Sequence, residues 1–566
     1  MSWIDWVVLG LFLAYVVGDG LRRSRGTRTL EGYYAGRRSI PWWAAGLSVM
    51  ATQASAITVI GTTGQGHEGG MEFVQMYFGL AFSMVLLCIF VVPLYRAQPI
   101  LTAYEYLERR FGASTRSLAS AIFLVSRCLA FGIVIYAPAV VLSAMTDLNL
   151  SFTVVFIGVL TTFYTMIGGV SAVIWTDVKQ MVVIIGGLVV CLVVLLWGVL
   201  SQLGIGEALQ ALGASGKLNA VELQPASLDF IPRAHGSEGA KSFWEDRYNF
   251  WSGLFGGLFL HLAYFGCDQS QVQRILTNPS VDQSRKALLM SAFAKVPMQA
   301  VVLFIGVLMY LFFVLHPSPM LFKPGDVAAA GDDPRVMALA EDYEQVRQSR
   351  RQLILRIAKD GSDPATLASY QGQVVEAERI RRQARELLHD GRDLKDTNYI
   401  FPHFILHHIP VVLLGLIMAA IFAAAMSSAD SALNSLSAAS VVDFYKRWFR
   451  PGASDGELLW AGRGSTLLWG AAATMAALMF EGSGSVIELI NEVGSYFYGS
   501  LLGVFVLAVV CRRAGARAGF FGLLGGMAAV LIVHNNWAFE YLWYNVIGAF
   551  GVLAVGVPVS YLERAR

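Results

Sequence analysis

Ala51-Thr52-Gln53-Ala54-Ser55-Ala56-Ile57-Thr58 and Ala423-Ala424-Ala425-Met426-Ser427-Ser428-Ala429-Asp430-Ser431-Ala432-Leu433-Asn434 are the two stretches that decide the fold of this chain. Each lies in an apolar run long enough to cross a bilayer, where polar groups are expensive and rarely accidental. The first places Thr52, Gln53, Ser55 and Thr58 at mid-run and is followed by Gly61, Gly64, Gly66, Gly69 and Gly70, a composition that breaks easily as a helix. The second offers small residues for close packing and a dense set of oxygens. A broken helix frees carbonyls, and carbonyls joined to hydroxyls make the all-oxygen shell that a small hard cation such as sodium wants. An isolated serine in a helix commonly bonds back to its own carbonyls. Three together, Ser427, Ser428 and Ser431, favour half of an ion site.

The rest of the chain is a membrane protein. Of 566 residues, 55% are hydrophobic and 14% charged, against roughly 25% charged in soluble domains, and mean hydropathy is +0.55. Residues Asp332 to Asp396 alone hold 25 of the 82 charged side chains, so the body is more apolar still. A net charge of +2 without a basic stripe excludes nucleic acid as a partner. The cysteines, Cys88, Cys128, Cys191, Cys267 and Cys511, stand singly, with no CxxC spacing for zinc or redox chemistry. The first apolar run, Trp3 to Val17, lacks a basic leader and carries Asp5, so it reads as a retained span.

Thirteen segments reach spanning length, centred near residues 11, 53, 84, 130, 160, 188, 258, 300, 418, 470, 500, 525 and 551. Lys and Arg concentrate in the short connections after odd-numbered spans: Arg22, Arg23, Arg25, Arg28, Arg37 and Arg38; Arg96, Arg109 and Arg110; Lys179; Arg274, Arg285 and Lys286; Lys446, Arg447 and Arg450; Arg512, Arg513 and Arg517. The alternate short connections carry none. The positive-inside rule then puts the N-terminus outside and Arg566 in the cytoplasm of a multi-pass inner-membrane protein. Two outside connections are long, and in the second, Val336, Leu339, Tyr343, Val346, Leu353 and Ile357 follow 3,4 spacing. Leu367, Tyr370, Val374, Ala377, Ala384 and Leu388 repeat it after Asp360-Gly361-Ser362-Asp363-Pro364. This predicts an external helical hairpin, a solvated cap first and a docking module for a periplasmic partner second.

Several ordered motifs make the chain resemble the sodium:solute symporter family of sodium/glucose, proline, sialic acid, iodide and monocarboxylate carriers. They are Ile40-Pro41-Trp42-Trp43 leading into Ala51 to Gly61; Thr102 to Gly112; Gly168-Gly169 with Ala172 to Asp177; Asp268-Gln269 with Val272-Gln273-Arg274; and Ser427 to Ser435. The resemblance implies an all-α polytopic protein of 13 transmembrane helices with the 5+5 inverted-repeat core of the leucine transporter. It divides the chain into residues 1–38, an extra N-terminal helix with its basic cytoplasmic loop; 39–201, the first repeat; and 202–246, an external loop. The second repeat follows at 247–513, interrupted by the hairpin insertion at 317–399, and 514–566 hold two extra C-terminal helices. It also implies sodium bound by the carbonyls of Ala51, Ala54 and Ala424 and the hydroxyls of Ser427 and Ser428. A possible second sodium falls at Asp177, Ser427 and Ser431, where relatives have a serine in place of Asp430.

Solute candidates are the polar side chains at midplane depth: Gln53, Ser55, Thr58, Tyr77, Arg127, His261, Tyr264, Lys295 and Asn491. Sugar-binding relatives carry Gln or Asn and an acid where Thr58, His261 and Tyr77 stand, whereas Lys295 and the gate residue Tyr264 agree with them. Arg127 is costly in lipid and its fork suits carboxylates; the competing role is an ion pair with Glu488 or Glu492, which share a helix face with Asn491. Lys295 reads as stabilising the site, His261 as a hydrogen-bonded core residue, and Glu68 and Glu72 as solvated. The expected function is sodium-coupled import of a small polar solute, a sugar or an organic acid such as sialic acid or a monocarboxylate, by alternating access. Proton coupling through His261, a channel and a sensor are the alternatives. An enzyme is not expected, because His407-His408 are adjacent rather than at i, i+4.

Overall fold

The computed structural model describes residues 2–24, 29–146, 148–223, 229–233, 242–480 and 485–563. Arg25, Arg28 and Arg566, used above for orientation, lie outside the described residues. The described chain is helical, with no strand. All thirteen expected centres fall within helices. Among the described residues nine helices are long and apolar enough to cross a membrane, and ten when the bent pair Trp42–Gln53 and Thr58–Gly69 counts as one span. Length and apolarity alone therefore support fewer crossings than the expected thirteen; Leu150–Phe163 and Ser252–Cys267 are apolar but short.

Two helices are broken, and each break is written in local chemistry. The first bends by 60° between Gln53 and Thr58, with Ala54 at φ −81°, ψ 55°. Polar side chains compete with the backbone around it: Gln53 Nε2 donates to the Val49 carbonyl at 3.2 Å and Thr58 Oγ1 to the Gln53 carbonyl at 2.8 Å. The second break separates Gly257–Cys267 from Gln269–Thr277. There Asp268 leaves helical geometry and accepts from the Ser270 N–H at 2.8 Å, an N-cap that ends one helix by starting another. Interrupted helices in corresponding positions of two halves mark the binding site of inverted-repeat transporters.

Close packing holds the first break in place. A Cβ on Gly66 would collide with the Leu303 carbonyl, and one on Gly306 with the Thr63 carbonyl, so the outer limb of the broken helix and the Val281–Leu315 helix touch backbone to backbone. The Leu413–Ala439 helix, which carries the serines, is buried along almost its whole length.

The long insertion forms two helices, Pro334–Asp360 and Pro364–Leu388, each opened by a capping aspartate before proline. Gly361, at φ 93°, makes the turn between them. Val336, Tyr343, Ile357, Tyr370, Ala377 and Ala384 are buried along the hairpin. It is tied to the rest of the chain by Tyr370 to Tyr310 at 2.8 Å, Arg350 to Tyr310 at 3.1 Å and Arg351 to Gln202 at 3.2 Å.

The glycine contact is testable. Gly306→Val should destabilise the protein by about 1–3 kcal/mol through overpacking, read as a lowered unfolding midpoint in detergent; an unchanged midpoint would mean that the two helices do not approach this closely.

Candidate functional site

The first break and the serine helix meet. Ser428 Oγ donates to the Thr52 carbonyl at 2.9 Å, and Thr52 Oγ1 lies 2.8 Å from Ser431 Oγ. Ala51, Ala54 and Ala424 are fully buried at this junction. The last turn of a helix leaves carbonyls without backbone donors, and here those of Thr52 and Gln53 accept from hydroxyls. Thr58 Oγ1 and Lys295 Nζ, at 2.8 and 3.3 Å, satisfy the Gln53 carbonyl. The donor set is all oxygen, as sodium requires.

Asp177, Ser427 and Ser431 also converge, around a cation the chain supplies itself. Ser427 Oγ donates to Asp177 at 2.6 Å and Ser48 Oγ at 2.5 Å. Arg274 Nη2 donates to Ser431 Oγ and lies 3.8 Å from Asp177, while Arg274 Nε is 3.2 Å from Ser48 Oγ. Arg274 is 1% exposed. This corrects its placement among the cytoplasmic loop residues: the second break carries it inward, where only a carboxylate makes its burial tolerable.

All nine solute candidates, Gln53, Ser55, Thr58, Tyr77, Arg127, His261, Tyr264, Lys295 and Asn491, line one cavity of about 110 Å³, with Thr52, Ser428 and Tyr498 on its wall. Several have spent their polar atoms locally. Asn491 Nδ2 donates to the Ile487 carbonyl at 2.7 Å, and His261 Nδ1 lies 2.6 Å from the Gly257 carbonyl, which can only accept, so that nitrogen carries the proton. Tyr264 accepts from Gln271 at 2.8 Å, and its ring lies 5.9 Å beneath the Arg127 guanidinium.

Arg127 does not pair with Glu488 or Glu492. Its neighbour is Asp268, at a loose 3.5 Å, whereas Glu488 pairs with Arg247 at 3.0 Å and Glu492 accepts from Tyr496 at 3.4 Å. Asp268 is already held by Tyr498 at 3.1 Å and by Ser270, and Arg127 Nε has no hydrogen-bond partner among the described residues. Lys295, 2% exposed, has no carboxylate partner among the described residues. Sequence reasoning overlooked Ser48, Asp268 and Arg274 as site residues. Their signal was available, since a charge deep in a span calls for an opposite charge at the same depth.

Two broken helices around one cavity, with carbonyls of the first facing hydroxyls of the serine helix, define a secondary transporter. The sodium:solute symporter family model matches residues 33–334 and 388–526, and the chain belongs to that family: it is a sodium-coupled transporter, not an enzyme. The unmatched gap coincides with the hairpin. The chain is 25% identical over 556 residues to the sodium/sialic acid symporter NanT of Aliivibrio fischeri, covering 98% of this chain and 92% of that protein. It is 27% identical over 536 residues to the human sodium/iodide cotransporter, covering 94% and 69%. It is 26% identical over 525 residues to the human sodium-coupled monocarboxylate transporter 1, covering 93% and 70%. The structure of a sodium-coupled sialic acid symporter in a substrate-bound outward-open state superposes with a TM-score of 0.77 at 23% identity, covering 100% of this chain and 99% of that one, so the fold is the same.

The loose Arg127 contact makes a prediction. Asp268→Asn keeps the helix cap but strands a buried guanidinium, at a cost of about 3–5 kcal/mol. Adding Arg127→Gln should recover part of that loss in a double-mutant cycle of unfolding midpoints; additive losses would mean the two groups do not interact.

Proposed function

We propose that the protein imports a short monocarboxylate together with one sodium ion by alternating access. The observation that carries the substrate class is Lys295. The cavity is lined by two basic side chains, Arg127 and Lys295, and among the described residues only Asp268 approaches either, so basic groups outnumber acidic ones at the site. The acid that sugar-binding relatives have nearby is absent, Tyr77 standing in this wall instead, with its ring centre 6.0 Å from Lys295 Nζ. An organic anion neutralises the excess, and Arg127 Nε is a free donor for it. At about 110 Å³ the cavity is small beside the roughly 300–1,000 Å³ of ordinary ligand pockets, which favours a small acid.

Sodium joins the carbonyls of Ala51, Ala54 and Ala424 to the hydroxyls of Ser427 and Ser428. Its binding holds the broken helix in the geometry that presents Gln53, Ser55 and Thr58 to the solute, and the coupling is reciprocal: solute tightens sodium by the same factor. Arg274 sits where a second sodium would be drawn to Asp177 and Ser431, so a single ion suffices. Tyr264, between the cavity and Gln271, gates the cytoplasmic side. The N-terminus is outside and the C-terminus in the cytoplasm of the inner membrane. Supporting this, Arg96 caps the carbonyl of Pro279 at 2.8 Å, and Arg110 those of Cys511 and Ala514 at 2.7 Å, gathering basic residues at helix ends remote from the hairpin. The domain divisions at 38, 201, 246 and 513 follow the repeats.

One sodium with one monoanion moves no net charge, so uptake in proteoliposomes should ignore membrane potential; 100 mV would otherwise contribute about 2.3 kcal/mol per charge. Acceleration by an inside-negative potential, or a Hill coefficient near two for sodium, would overturn the stoichiometry. Lys295→Gln and Arg127→Gln should each lower sodium-driven lactate uptake about 10- to 100-fold, the loss of a charged hydrogen bond. Sodium-driven uptake of a neutral sugar but not of lactate by the unaltered protein would sink the anion reading. Ser428→Ala should raise the sodium concentration for half-maximal uptake about tenfold; an unchanged requirement would remove Ser428 from the ion site.

A further inference from the structure

A second cavity, of about 290 Å³, lies between the hairpin and the outer end of the membrane body. Its floor is Tyr310, near the end of the Val281–Leu315 helix. Two cations flank that one ring: Lys217 Nζ at 4.8 Å and the Arg350 guanidinium carbon at 5.6 Å from its centre. Arg350 is 8% exposed, and its Nη2 donates to the Tyr310 hydroxyl, yet its Nε has no partner and no carboxylate pairs with it among the described residues. Lys217 Nζ donates only to the backbone carbonyl of Glu68. The carboxylates on the cavity wall are committed elsewhere. Glu378 pairs with Arg381 and Arg385, Asp393 with Arg385 at 2.6 Å, and Glu68, which is half-buried rather than solvated, accepts from Thr397 at 2.7 Å. Burial lowers the Lys217 pKa, and the Arg350 charge adds to that shift.

Two like charges sharing one aromatic ring, with one buried donor unpartnered and no carboxylate within ion-pair distance of either among the described residues, are a standing cost that an anion would lower. The wall opposite them is apolar, with Phe313, Phe322 and Val374. A bare halide would leave that wall against water, whereas a carboxylate with a short apolar tail satisfies both sides. We propose that this cavity is a binding site for a small organic carboxylate, held by Arg350 and Lys217 beneath the hairpin and separate from the transport site. The site exists only because the insertion is present: Arg350 belongs to the first hairpin helix, which lies in the segment outside the family match.

The test uses the full chain in detergent and sodium-free Tris–HEPES buffer, where the sodium-coupled central site is not engaged. Potassium L-lactate is titrated against the unfolding midpoint, with lactamide as the neutral analogue and potassium chloride as the halide. Lactate should raise the midpoint by at least about 2 °C, as ligand binding to the folded state requires. The rise should vanish in Arg350→Gln and in Lys217→Gln and persist in Arg127→Gln. Lys217 is half-buried in a loop, so its variant remains informative if Arg350→Gln fails to fold. An equal rise with lactamide or chloride, no rise at all, or a rise kept in both cavity variants and lost in Arg127→Gln would overturn the proposal.

Discussion

Within a bilayer every backbone polar group must find a partner inside the protein, and the rest of this structure follows from one violation of the simplest solution. The helix that enters at Trp42 stops at Gln53 and restarts near Thr58, leaving carbonyls pointing into the interior. Thr58, Lys295 and Ser428 each take part of that load. What they leave is a cluster of backbone and hydroxyl oxygens between two helices. The site is thus less an addition to the fold than the repair of a deliberate break.

Charge pairing supplies the second layer. Arg116 with Asp443 at 2.6 Å, Arg127 with Asp268 at 3.5 Å and Arg274 with Asp177 at 3.8 Å are graded from tight to loose, and Arg127 of the middle pair lines the cavity. A buried pair is seldom a large net source of stability, but it fixes where its helices sit. Lys295 touches a carbonyl rather than a carboxylate.

Much of the architecture was legible because it depends on apolar run length and on polar residues in costly places. The all-helical apolar body, the break in Ala51 to Thr58 and the hairpin repeat on either side of Gly361 all obey local rules. Partners across the bundle were not legible. Arg127 was set against Glu488 and Glu492 because these lie on a plausible helix face, yet Asp268 reaches it only through the second break, a feature hidden in a run that reads as continuous. Arg274 was misplaced for the same reason: its neighbours are loop-like in composition, and only the turn at Asp268 folds it back toward Asp177. Gly66 and Gly306 likewise carry no sign in sequence that each faces the other helix's backbone.

The Val281–Leu315 helix runs unbroken for 35 residues, about 52 Å at 1.5 Å per residue. Partway along it Lys295 grips the broken carbonyl, and 15 residues further, about 22 Å, Tyr310 is clasped by Tyr370 and Arg350 of the hairpin. The helix is therefore a lever whose outer arm carries ballast. Any tilt of that helix must carry the hairpin with it or part Tyr310 from Tyr370 and Arg350, so the insertion is joined through Tyr310 to the element that reaches the break.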